Sequence, residues 1–189
     1  MILAMVRHGQ TAYNAQRLVQ GRINNPLNTT GKKQAKDLAL VLIKKNEIFD
    51  RVLSSPLSRA LETASILNNE LKINKPIYIV PNYIERDFNQ LDGVGVDEAM
   101  SLLRQKDYTH PGYEMNQKLM NRVVKATLQL AKDFKNQKLL AVAHSHVIKA
   151  LLVYTNPVIY SFTDYLINNG EIIYFEINHN EIKFISHEK

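Results

Sequence analysis

A chain of 189 residues, 45% hydrophobic and 22% charged, has the apolar mass for one well-cored domain. It has no cysteine, which excludes disulfides and thiolate metal sites, and no apolar run near the ~20 residues that span a bilayer. Its net charge of +6 is spread through stretches such as Gly31–Lys45 and Lys118–Lys138, without the dense basic and aromatic blocks of a nucleic-acid binder. The apolar run Ile2-Leu3-Ala4-Met5-Val6 is too short for an export signal and has no basic residue ahead of it, so it reads as a strand. Helical spacing follows in Lys33–Lys45, where Ala35, Leu38, Ala39, Leu42 and Ile43 recur every three or four positions. Arg51–Ser54 reads as a strand, Leu57–Leu71 as a helix, and Ile77–Val80 as a strand. Asp97 is the expected N-cap of a shorter helix, Leu119–Phe134 a longer helix, and Leu139–Ala143 a strand. Ile172–Ile177 and Glu181–Ile185 close the chain as a hairpin around Asn178-His179-Asn180. No repeat or linker interrupts this alternation, which predicts an α/β fold. The expectation is one domain over residues 1–189, in the cytoplasm, without nucleic-acid or membrane partners.

The strongest local signal is Arg7-His8-Gly9, set where the first apolar strand ends. In open α/β sheets ligands bind beyond the carboxyl ends of the strands, so two basic side chains here stand where a site belongs. Gly9 leaves room for a close backbone turn or an approaching ligand. His144 also follows a strand, so both histidines can share one sheet edge.

Further motifs appear in order: Gln10-Thr11 with Asn14, then Ser55-Pro56-Leu57-Ser58-Arg59-Ala60 with Thr63-Ala64, then Ile84-Glu85-Arg86-Asp87-Phe88 ahead of Gly93, and finally Ala143-His144-Ser145-His146. This ordered set resembles the histidine phosphatase superfamily, the phosphoglycerate mutase-like fold, from residue 2 to about residue 175. The resemblance implies a three-layer α/β/α sandwich with a mostly parallel sheet, and a lid insertion around residues 91–113.

Transfer from a dianionic phosphate monoester needs a nucleophile, positive charge and a proton for the leaving oxygen. A neutral His8 imidazole can attack phosphorus if its other ring nitrogen is held, most simply by a backbone carbonyl. Arg7 and Arg59 carry forked guanidiniums suited to the non-bridging oxygens. His144, if protonated, stabilises the phosphoryl group in flight. The resemblance assigns general acid duty to Glu85, which needs a raised pKa for it. It also places Asn14 and the backbone near Gly21 against phosphate, with Gln20, Thr11 and Ser145 as further contacts. Arg86 has two readings, a substrate contact or a solvated surface arginine; His146 likewise, a phosphate contact or a structural group. His110, His179 and His187 fall outside every motif.

The chain departs from the family pattern at three places. Ser145 and His146 replace glycines after the second histidine, Asn89 stands where glycine is usual in the acid loop, and Met115 replaces a serine in a Pro-Gly-x-Glu-Ser segment. No His-Glu-x-x-His or similar ligand spacing is present, so neither a metal nor another cofactor is expected.

Three functions compete. The first is a metal-independent phosphatase acting on small phosphorylated metabolites through a phosphohistidine on His8. The second is a cofactor-dependent phosphoglycerate mutase. The third is an inactive phosphate-binding module. Related mutases carry a longer insertion with an adjacent arginine pair, whereas the stretch Leu91–Lys138 holds only Arg104 and Arg122, well apart. The phosphatase reading leads. The partner expected is a small phosphorylated metabolite, with the terminal strands offering an edge for a homodimer.

Overall fold

The computed structural model describes residues 1–105, 108–178 and 180–188. His179 therefore lies outside the described residues, as do positions 106 and 107 within the expected lid. In chain order the elements are β1 (Ile2–Arg7), α1 (Ala12–Ala15), α2 (Thr29–Lys44), β2 (Arg51–Ser54), α3 (Ser58–Glu70), β3 (Tyr78–Ile79), α4 (Val96–Leu103), α5 (Asn116–Asp133), β4 (Lys138–Ala143), α6 (Ser145–Thr155), β5 (Ile172–Ile177) and β6 (Ile182–Glu188).

The strands form one six-stranded sheet in the order β3-β2-β4-β1-β5-β6. The first four neighbours pair in parallel, and β5 runs antiparallel to both β1 and β6. Side-chain alternation explains the three layers. Leu3 and Met5 of β1 face a core shared with Leu119 and Val123 of α5 and Val147, Ile148, Ala150, Leu151 and Leu152 of α6. Ala4 and Val6 face the other core, with Ala39 and Leu42 of α2 and Ala60, Ala64 and Leu67 of α3. A strand covered on both faces has no polar position, which is why β1 and β4 read as uninterrupted apolar runs. Each fully buried leucine here contributes about 1.5–3 kcal/mol of transfer free energy.

Several boundaries differ from the sequence expectation. Helix α2 begins four residues earlier, because the Asn28 side chain accepts from the Gly31 N–H at 2.8 Å and caps it. Asp97 does not cap α4: the N-cap is Gly95, and Asp97 lies in the first turn, where its charge suits the helix dipole. Strand β3 is only two residues long, between Pro76 and Pro81, and β6 continues through polar Ser186 and His187 as an edge strand. Periodicity passes over α6 because that helix is buried on nearly every side, so no polar stripe marks it.

Parallel β1 and β4 end together, with Arg7 beside Ala143. The next residue of each strand is a histidine. This register brings His8 and His144, 136 positions apart in sequence, to one sheet edge.

Candidate active site

His8 is anchored by its own backbone, whose N–H donates to the Ala143 carbonyl at 3.0 Å. Its Nδ1 lies 2.8 Å from the Gly9 carbonyl, an acceptor only, so Nδ1 carries the proton and Nε2 keeps the lone pair. Burial, then Arg59 and Arg7, hold the imidazole well below the ordinary histidine pKa, hence neutral. Gly9 serves close approach: a Cβ there would stand 2.4 Å from the Gly31 carbonyl oxygen, so the start of α2 presses directly on the turn after His8. The Gly9 N–H donates to Thr63 Oγ1 at 3.0 Å, tying that turn to α3 as well.

Arg59, in the first turn of α3, is 0% exposed, so it is no surface ion-pairing arginine. Its Nε lies 3.1 Å from His8 Nε2, and its two terminal nitrogens donate to the Ile23 and Gly21 carbonyls at 2.7 and 2.8 Å. The Gln20 amide turns its oxygen to Arg59 Nε at 3.0 Å and donates from its nitrogen to Thr11 Oγ1 at 2.6 Å. Burial lowers the Arg59 pKa to about 10, which leaves it charged at neutral pH.

His144 packs edge-on against His8 with ring centroids 5.1 Å apart. Its Nε2 meets Ser55 Oγ at 2.7 Å, and its buried Nδ1 has no partner among the described residues. Burial, then Arg59 and His8, push its pKa far down. The protein alone therefore leaves His144 neutral, unlike the protonated form considered from sequence.

Glu85 stands across a cleft of about 640 Å³ whose lining includes Arg7, His8, Asn14, Gln20, Ser145 and His146. It is 4% exposed. Burial raises its pKa and outweighs the Arg86 N–H at 2.8 Å and the charge of Arg59. The carboxyl loop is clamped from below. Arg122 of α5 makes a two-pronged ion pair with Glu114 at 2.7 and 2.9 Å and also donates to the carbonyls of Ile84 at 2.8 Å and Glu85 at 3.2 Å. Asn89 adopts φ +48° in this loop, the left-handed region where glycine is at home and asparagine is tolerated.

Other expected contacts find different work. Thr11 is fully buried and caps α1 in a reciprocal pair with Asn14, leaving its hydroxyl occupied. The Gly21 N–H donates to Asp92 at 2.6 Å and its carbonyl accepts from Arg59, so Gly21 supports the site from beneath. Arg86 is neither solvated nor in the cleft lining: it is 1% exposed and donates to Tyr113 and Asn116. Its guanidinium also lies 4.6 Å from the Phe162 ring centroid. His146 stacks on Phe162 and meets Phe88 edge-on at 5.0 Å, and its backbone N–H reaches Glu85 at 3.4 Å. His110 bonds the Phe88 carbonyl at 3.0 Å, and His187 joins Tyr165 to Glu171.

Sequence reasoning passes over Ser55, Thr63, Asn169, Arg122 and Lys149. Ser55 and Thr63 sit inside quoted motifs, a signal that was available. Asn169, which donates to the His8 carbonyl at 2.7 Å, comes from far along the chain with no motif around it, and Lys149 lies just past the His144 motif.

The two histidines on adjoining strand ends, flanked by two arginines and faced by a buried carboxyl, match an independent observation: the model of the histidine phosphatase superfamily (branch 1) aligns to residues 3–188. The chain belongs to the histidine phosphatase superfamily. Among relatives, this histidine phosphatase is 34% identical to the uncharacterized phosphatase PhoE of Bacillus subtilis over 150 residues, 79% of this chain and 75% of that one. It is 34% identical to the metal-independent phosphoserine phosphatase of Arabidopsis thaliana over 159 residues, 79% of this chain and 66% of that one. The fold is shared with phosphoserine phosphatase of Entamoeba histolytica in complex with 3-phosphoglyceric acid, at TM-score 0.83 and 24% identity, covering 100% and 96% of the two chains. Bacillus stearothermophilus YhfR superposes equally well, at TM-score 0.83 and 22% identity, covering 97% and 94%.

Proposed function

We propose that this chain is a phosphatase that hydrolyses small phosphorylated metabolites through a phosphohistidine on His8. One observation carries the reading: a neutral histidine, with Nδ1 held by Gly9 and Nε2 free of its proton, shares a cleft with a buried carboxyl whose pKa is raised. Relatives named as phosphatases support it.

The ester phosphate enters between His8 and Glu85, with Arg7 and Arg59 offsetting its two charges. Arg59 Nε turns from the His8 lone pair to a phosphate oxygen. A bond forms from His8 Nε2 to phosphorus as the bond to the ester oxygen breaks, and the Glu85 proton passes to that oxygen. Water then attacks phosphorus, gives its proton back to Glu85 and displaces His8, releasing inorganic phosphate. The negative charge of the bound phosphate raises the His144 pKa, so His144 becomes a cation when substrate arrives. Ser145, at the positive end of α6, adds backbone dipole to the same place. Leu91, Val94, Val96, Leu102 and Leu103 cluster with Val19 and Phe88, several of them lining the cleft, and we assign the described part of the segment 91–113 as a lid.

Among the described residues, the further arginines that line the cleft, Arg17 and Arg104, are each taken up by an aspartate and are not free for a second phosphate. Arg104 pairs with Asp164 at 3.5 Å, and Arg122 is committed beneath the carboxyl loop. This favours water over a second hydroxyl as acceptor.

The test is phosphate release from a panel of monoesters, including an aryl phosphate, with chelator present. Release is expected to survive chelation and to vanish in His8→Ala. Release that persists in His8→Ala would sink the nucleophile assignment. No release from any ester, followed by turnover in an assay primed with bisphosphoglycerate, would establish the mutase instead.

A further inference from the structure

Lys149 is a buried ammonium in the cleft wall that the reaction described above does not use. It lies on α6 four residues after Ser145, on the same helix face, and its side chain is directed back toward the helix N-terminus. It is 6% exposed, and its Nζ donates to the Phe162 carbonyl at 2.9 Å. A lysine has three N–H donors, and one neutral carbonyl does not compensate a buried charge. Among the described residues no carboxylate oxygen comes within 4.0 Å of it.

The other cations of the cleft are provided for. At the rim Arg17 pairs with Asp97 at 2.7 Å and Arg104 with Asp164 at 3.5 Å. Arg7 and Arg59 balance the two charges of the phosphate, and Glu85 enters the reaction as a neutral acid. His144, protonated by the arriving phosphate, also faces that phosphate, which leaves Lys149 as the cation in the described cleft lining without an anion of its own. Lys149 lines the same cleft as His8, Arg7 and Glu85, the carboxyl proposed to protonate the leaving oxygen. The alcohol half of the ester occupies that place.

Building on the phosphatase reading, we propose that Lys149 is a specificity-determining residue that selects phosphate monoesters whose alcohol half carries a second anionic group. Burial, then Arg7, lowers its pKa to about 8, the state expected of an ammonium that lacks its anion. The charged or titratable groups around it are Arg7 from β1, Glu85 and Arg86 from the carboxyl loop, Asp164 from the loop before β5, and His146 on its own helix.

Matched esters test this. 3-Phosphoglycerate and glycerol 3-phosphate differ by a carboxylate, and fructose 1,6-bisphosphate and fructose 6-phosphate by a second phosphate. The wild-type protein is expected to favour the more anionic member of one pair by about tenfold or more in kcat/KM, and the pair showing it identifies the anion. Lys149→Gln should collapse that ratio toward one, and Lys149→Arg should keep most of it. A wild-type ratio near one in both pairs overturns the proposal. So does a Lys149→Gln protein that loses activity equally on both members, since Lys149 would then serve only the transferred phosphate or the fold. Should Lys149→Gln not fold, the wild-type ratio read against pH decides. It must fall as the pH rises past about 8, where Lys149 loses its proton, and a flat ratio overturns the proposal. Failure of the phosphatase reading is a separate outcome, seen as no phosphate release from any ester. The same pairs are then compared by calorimetry, where equal affinities overturn the proposal and a preference that Lys149→Gln removes supports it.

Discussion

His8 and Glu85 are set by opposite uses of one physical effect. Desolvation penalises the charged form of each, so it lowers the pKa of the imidazole and raises that of the carboxyl. The proposed nucleophile and the proposed proton donor thereby share one cleft. Glu85→Gln removes the proton but keeps the shape. Turnover of an alkyl phosphate should fall by about 100-fold or more, while an aryl phosphate, whose leaving group needs no proton, loses far less. The alkaline limb of the alkyl-ester pH profile, where Glu85 ionises, should disappear in the variant. Equal losses on the two esters would remove Glu85 from the acid role. Arg59 carries a different lesson at this scale. An arginine in the first turn of a helix usually reaches water, yet here every guanidinium nitrogen is directed inward by the carbonyls of residues 21 and 23 and by His8.

At the scale of elements, the carboxyl loop has no regular hydrogen bonding of its own between its 3-10 turns at Pro81–Tyr83 and Asn89–Leu91. Arg122 from α5 substitutes for it by holding the loop carbonyls while Glu114 neutralises the guanidinium. Burial alone would raise the Glu114 pKa, but the hydrogen bonds and charge of Arg122, with the Asp87 N–H and Arg22, hold it below its ordinary value. Arg122→Leu leaves a carboxylate that is 2% exposed to the more distant Arg22, at 3.6 Å, and the Asp87 N–H, and frees the loop at once. It should cost about 3–5 kcal/mol in urea unfolding, and the double variant Arg122→Leu/Glu114→Leu should recover part of that. A single variant of wild-type stability would show that the clamp carries no energy. The sequence marks Glu114 through its Pro-Gly-Tyr-Glu turn but gives no sign of Arg122 as its partner, because an ion pair across a helix and a loop leaves no periodicity.

For the whole molecule, His8, His144 and His146 each have pKa values well below 6.5, so the unfolded chain binds protons that the folded one refuses. The stability linked to these groups is present above pH 6.5 and is lost as the pH falls toward their folded values. Glu85, raised above 4.5, works in the opposite sense: its contribution is present below 4.5 and is lost as the pH rises through its folded value. With three histidines against two raised carboxyls, Glu85 and Asp92, Tm should fall between pH 7 and pH 5, and more shallowly in His144→Gln. A Tm that is level across that range in the wild-type protein would contradict the neutral state assigned to the histidines.

The amino-acid sequence by itself determined the class of fold and pointed to the groups proposed to react. Strands buried on both faces must be apolar throughout, helices beside them must be apolar on one side, and His8, Arg59, Glu85 and His144 each lie in a local motif that suggests the chemistry proposed for them. Only the tertiary structure decided what surrounds them. The register of β1 on β4 put the histidines together, and the packing of α3 buried Arg59. The fold of the carboxyl loop turned Arg86 away from the cleft, while α6 turned Lys149 toward it. Burial and pairing depend on residues distant in the chain, and pKa values depend on burial. No local pattern records either.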